Sequence, residues 1–168
     1  WKIVVEEINL ENGIKIIVDR LPVDIIGIAL LFNIGSIYEE KEYRGITNFE
    51  NMLMLRSNEK YREEEVLEIL NSSGSMYGIG IDRSKSTLVI ITIKEKLKDV
   101  LDVLYNSITN LQFKNKEIEE VRSEIINRIK ENNAIGHYKI KDLIPISVYG
   151  YSDYGDPYLG YENTIKNI

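Results

Sequence analysis

The sequence predicts an α+β fold: a mixed or antiparallel sheet with helices packed on one side. Three observations carry that reading. β-branched runs dominate the first third of the chain, apolar residues spaced three and four apart dominate the second half, and an Asn-Gly step lies between the first two runs. At 168 residues, 43% of them hydrophobic and 29% charged, the chain is long enough for one sizeable core and too short for two. A single domain over residues 1–168 is therefore expected.

Residues 4–10 and 14–20 read as strands joined by Glu11-Asn12-Gly13, whose Asn-Gly step supplies the positive φ of a tight hairpin. After Pro22, residues 23–32 are almost continuously apolar, the pattern of a strand covered on both faces. Asn33-Ile34-Gly35-Ser36 breaks that run. From Gly45 the spacing turns helical, and residues 61–71 continue it with Val66, Ile69 and Leu70 on one face. Gly74, Gly78 and Gly80 punctuate the next stretch, and residues 87–93, rich in β-branched side chains, read as a central strand. Two amphipathic helices follow. Residues 96–111 set Leu97, Val100, Leu101, Leu104 and Ile108 on one stripe, and residues 117–132 do the same with Ile118, Val121, Ile125 and Ile129. A last helix near residues 138–148 contains Pro145, which is expected to kink it, and leads into a tyrosine-rich loop over 149–161.

The net charge of −6, with lysines and arginines interspersed among acids, argues against a nucleic-acid footprint. No apolar run reaches the ~18 residues of a membrane span, and the N-terminus lacks the basic-then-apolar order of a secretory signal. A soluble, cytoplasmic protein is the expectation, although a chain that begins at Trp1 leaves room for a targeting segment already removed. The absence of cysteine excludes disulfides, thiolate zinc sites and a cysteine nucleophile. A single histidine, His137, excludes a zinc site built on two imidazoles and a two-histidine proton relay.

The segment Gly45-Ile46-Thr47-Asn48-Phe49-Glu50-Asn51-Met52-Leu53 resembles the inverted zinc-peptidase helix around H-x-x-E-H. The flanks agree in order along nearly the whole chain. Leu10-Glu11-Asn12-Gly13-Ile14 looks like an L-x-N-G-[LI] hairpin, and Asn33-Ile34-Gly35-Ser36-Ile37-Tyr38-Glu39 like a strand ending in G-S-x-x-E. Ser73-Gly74-Ser75-Met76-Tyr77-Gly78 is similar to the family's G-G-x-x-N-A strand, and the run from Tyr154-Gly155-Asp156-Pro157 to Glu162-Asn163-Thr164-Ile165 to its H-P-[YL]-G-x-P-[IV]-L-G-x-x-E-[ST]-I. On these motifs the chain resembles the pitrilysin, insulinase and mitochondrial-processing-peptidase family, as a degenerate member that lacks the zinc ligands.

In that family two histidines bind zinc and the glutamate activates water, because residues four apart on a helix share a face. Here Asn48 takes the first ligand position if one residue is deleted after Phe49, and Thr47 takes it in an ungapped register; Glu50 falls on the catalytic glutamate and Asn51 on the second histidine. The distal glutamate aligns with Arg128, or in another register with Glu124 or Glu131. The resemblance thus implies no catalytic residue beyond a vestigial Glu50, former zinc-ligand positions at Asn48, Asn51 and Arg128, no metal and no cofactor. It also implies a substrate-facing strand containing Ser75, Met76, Tyr77, Gly78 and Ile79, placed at a sheet edge over residues 75–81. A Glu50–Arg128 ion pair is expected to replace the metal. The plain alternatives stand beside these: Glu50 as a solvent-facing residue, Asn48 and Asn51 as helix-surface amides or a cap, Arg128 paired with Glu124 four residues earlier, and His137 simply exposed.

The implied role is that of a non-catalytic subunit, the N-terminal part of a peptidase half-module cut short at its C-terminal end. It would pair with a zinc-bearing homologue or a second homologous half and help form a peptide-binding chamber. A scaffold that keeps the fold only is the alternative, and an active zinc peptidase with displaced ligands a further one.

Overall fold

The computed structural model describes residues 5–168, all but the side chain of His137. Strand β1 (Val5–Asn9) pairs antiparallel with β2 (Lys15–Asp19), from Val5 opposite Asp19 to Asn9 opposite Lys15. Gly13 takes the expected positive φ of 86° in the turn. The start of this hairpin at Val4 and the terminal Trp1 lie outside the described residues.

The main sheet is antiparallel, with β5 (Ser86–Ile93) between β3 (Ile25–Phe32) and β4 (Met76–Ile81). Strict alternation along β5 buries Ser86, Leu88, Ile90 and Thr92 and turns Val89, Ile91 and Ile93 outward. β3 departs from the sequence expectation of cover on both faces. Ile25 and Leu31 are 59% and 63% exposed, because the helices over the described residues pack on one face only. Continuous apolarity marked the strand but not how many of its faces are covered.

Two apolar clusters form the core. The first joins the inner sheet face, through Leu88 and Ile90, to α2 (Glu63–Ser72) and α3 (Leu97–Thr109) through Val66, Leu70, Val100, Val103 and Leu104. In α3 the buried stripe is thus turned from the expected one. Leu101 is exposed and Val103 is fully buried, while Asn106 and Ser107 enter the core because Asn106 donates to the Asp102 carbonyl at 2.8 Å and Ser107 accepts from Asn58 at 3.4 Å. The second cluster joins α1 (Ile46–Leu53) to α4 (Asn115–Ala134) and α6 (Glu162–Asn167) through Phe49, Leu53, Val121, Ile125 and Ile165. Helix α5 (Gly136–Tyr149), with Pro145 inside it, packs on α4 and leads into the tyrosine-rich loop. Helix α1 therefore lies between the sheet and α4, where side chains from all three can meet.

Candidate functional site

The start of α1 is held from two sides. The Glu39 carboxylate, itself buried, accepts the main-chain N–H groups of Gly45 (2.8 Å) and Thr47 (2.9 Å), so a side chain satisfies donors that a helix N-terminus leaves orphaned. On the other side the chain is pressed against the loop before α6. Gly160, at φ +75°, would place a Cβ 2.0 Å from the Arg44 carbonyl oxygen, and Gly45, at φ +97°, would place one 2.5 Å from that of Leu159. Only glycine fits either position.

Arg44 fastens the same junction. Its guanidinium is 2% exposed and donates to the main-chain carbonyls of Ser36 (2.9 Å) and Glu39 (2.6 Å), to Asp156 (3.1 Å) and to Asp153. Asp156 in turn accepts the Tyr161 hydroxyl at 2.8 Å. Burial first, and the bond to Asp156 second, raise the Tyr161 pKa and keep that phenol protonated.

From this anchor α1 distributes its side chains by helical period. Phe49 and Leu53 enter the core. Asn48 and Asn51, only 6% and 4% exposed, turn toward β4, where with Arg128 of α4 they line a cavity of about 430 Å³ that also takes in Tyr77, Gly78 and Ile79. The Asn51 amide donates to the Ser86 hydroxyl (3.1 Å), which donates to the Ile34 carbonyl (3.1 Å). Among the described residues the Asn48 amide reaches only the Met52 sulfur, at 3.9 Å. Thr47, four residues from Asn51 in the unbroken helix, is buried but does not line the cavity.

Other residues singled out in the sequence lie elsewhere. Glu50 faces outward, away from the cavity lining, and forms no ion pair with a described residue. Neighbouring protein desolvates its carboxyl and the negative charge of Glu39 adds to the effect, so its pKa is raised above the ordinary carboxylate value. The expected Glu50–Arg128 pair is not formed. Arg128 instead bonds Glu124 at 2.8 Å, with both side chains about half exposed; an acid one turn back on the same helix is reached without crossing to α1. Ser75 precedes β4 and shares a 2.5 Å hydroxyl contact with Ser73, and Met76 turns to the open sheet face at 71% exposure. His137 lies in the first turn of α5, its side chain outside the described set.

Sequence reasoning missed Arg56. It contributes a second guanidinium to the cavity wall, 2.6 Å from Glu63 and 3.8 Å from both Glu120 and Glu124. It also missed Ser86 as the partner of Asn51. Nothing in local spacing points to either, since Ser86 is remote from Asn51 in sequence and Arg56 meets Glu63 across a turn that has no helical period.

Zinc at this position would require imidazole, thiolate or carboxylate donors. The wall offers two carboxamides and two guanidiniums, and its carboxylate, Glu63, is engaged by Arg56. Among the described residues no group of three or more His, Cys, Asp or Glu side chains could hold a metal ion. The residues present do not fit zinc. They form instead a polar-floored cavity beneath a sheet edge: β4 has no strand partner on its outer side among the described residues.

Comparison with known proteins places this geometry. The family model for insulinase, peptidase family M16, matches residues 15–158. An uncharacterized zinc protease of Rickettsia felis is 24% identical over 161 residues, covering 95% of this chain and 39% of that protein. The fold superposes on a protease from Helicobacter pylori with a TM-score of 0.92 at 18% identity, over 100% of this chain and 41% of the other. It superposes on the peptidase M16 inactive domain from Pseudomonas fluorescens with a TM-score of 0.90 at 13% identity, over 98% and 40%. The chain thus spans about two fifths of the length of the proteins it matches. With a family match over most of its length, the chain belongs to the insulinase family, peptidase family M16.

Proposed function

We propose that this chain is a non-catalytic member of its family that holds an extended peptide along the outer edge of β4. It works beside a zinc-bearing homologue or a second homologous half, whose metal performs the hydrolysis. One observation carries the reading: Asn48 and Asn51, which the sequence resemblance aligns with metal-binding positions, line a cavity beside β4, whose outer edge has no strand partner among the described residues. Main-chain pairing at such an edge needs no metal, so peptide binding can persist where hydrolysis does not. The likeness to a domain described as inactive supports the same view.

The test is binding of labelled extended peptides to the purified chain, with main-chain nitrogens methylated on alternate residues. Strand pairing uses every second N–H. One methylation phase is expected to abolish binding and the other to leave it unchanged, with the peptide recovered intact in both cases. Equal effects of the two phases, or binding to none of the peptides, would leave the fold acting as a scaffold without a peptide groove.

A further inference from the structure

The cavity under β4 has a polar floor that the described residues satisfy only in part. Asn48 and Asn51 are each more than nine-tenths buried, and no described residue donates to either side-chain oxygen. The Asn48 amide meets only a thioether, a weak acceptor. Both carboxamides open into the cavity that they line. Their oxygens are open to water in the cavity, so a ligand that displaces that water must complete their hydrogen bonds or leave them unmade at a cost.

We infer that this cavity is a side-chain subsite that selects a carboxamide, glutamine or asparagine, on a peptide held at the β4 edge. The inference rests on the edge-strand reading above. Successive side chains of an added strand point to opposite faces, so every second one falls on the inner face with Tyr77 and Ile79, over the cavity. A carboxamide offers both a donor and an acceptor to the two asparagines. The charged groups in the wall are already matched: Arg56 lies 2.6 Å from Glu63, and Arg128 lies 2.8 Å from Glu124. A carboxylate entering the cavity would compete with those acids, and an ammonium would meet two guanidiniums. An aliphatic side chain would seal the asparagine amides from water with their bonds unmade.

The test uses the full chain and one extended host peptide with a single guest position, occupied in turn by Gln, Leu, Glu and Lys, with affinity read by fluorescence anisotropy. The Gln peptide is expected to bind roughly tenfold more tightly than the others, the ratio set by one or two completed neutral hydrogen bonds in a buried place. In Asn48→Leu that preference should collapse, with the Leu guest binding at least as well as Gln. The guest series on the unaltered protein decides the matter even if the variant does not fold. Equal affinities, or a charged or Leu guest preferred by the unaltered chain, would overturn the subsite and leave the edge-strand reading standing. Absence of binding by every guest would overturn both.

Discussion

Asn51 of α1 donates to the hydroxyl of Ser86 on β5 at 3.1 Å, and Ser86 passes the bond to the carbonyl of Ile34. A buried carboxamide thus ties a helix to the sheet. Ser86→Ala leaves a buried amide and a carbonyl unpaired and should destabilise by about 1–3 kcal/mol in urea unfolding. The loss in Asn51→Ala combined with Ser86→Ala should fall short of the sum of the two single losses, since they share one bond.

Arg44 should be the most sensitive charged residue. Arg44→Ala strands Asp156 and two main-chain carbonyls in a buried place, and about 3–5 kcal/mol should be lost. Arg44→Lys should recover only part of this, because an ammonium cannot reproduce the guanidinium fork. Thermal or denaturant unfolding of the two variants checks the order.

Gly160→Ala and Gly74→Ala both place an alanine at positive φ, but they meet different surroundings. At Gly74 nothing lies within 4 Å of the new Cβ, whereas at Gly160 the Arg44 carbonyl is 2.0 Å away. Gly74→Ala should cost about 1–2 kcal/mol, the backbone penalty alone. Gly160→Ala should cost clearly more and should loosen the loop from α1, seen as faster amide exchange at Gly45 and Thr47.

The carboxyl of Glu50 titrates above its unfolded value because protein atoms desolvate it and Glu39 repels its charge. The folded state therefore keeps a proton that the unfolded chain has already released, and ionised Glu50 costs stability. That cost is absent below the unfolded pKa of about 4.3 and fully present above the folded one. Glu50→Gln should accordingly stabilise the protein at pH 7 by less than about 1 kcal/mol, since solvent screens an exposed group, and should change nothing near pH 3.

Most of the fold was legible in the sequence because periodicity reports burial directly. The hairpin, the central β5 and the α4 stripe of Val121, Ile125 and Ile129 all follow from it. The open face of β3 was not legible, since an apolar run looks alike whether one face or two are covered. In the site, Asn48, Asn51, Arg128, Tyr77, Gly78 and Ile79 lie around one cavity. The partner of Arg128 was not legible, because the family resemblance points it across to α1 while its own helix offers Glu124 one turn back. Arg44 and Arg56 went unread because their acids lie remote in sequence or in a loop with no period.

The proposed function requires that this chain carry no metal-bearing active centre of its own. The check is the zinc content of the purified chain after incubation with excess zinc and gel filtration, measured together with cleavage of an unstructured peptide. Far less than one zinc per chain is expected, with no hydrolysis above the background of a protein-free control. About one tightly held zinc per chain, with hydrolysis that a chelator abolishes and zinc restores, would contradict it.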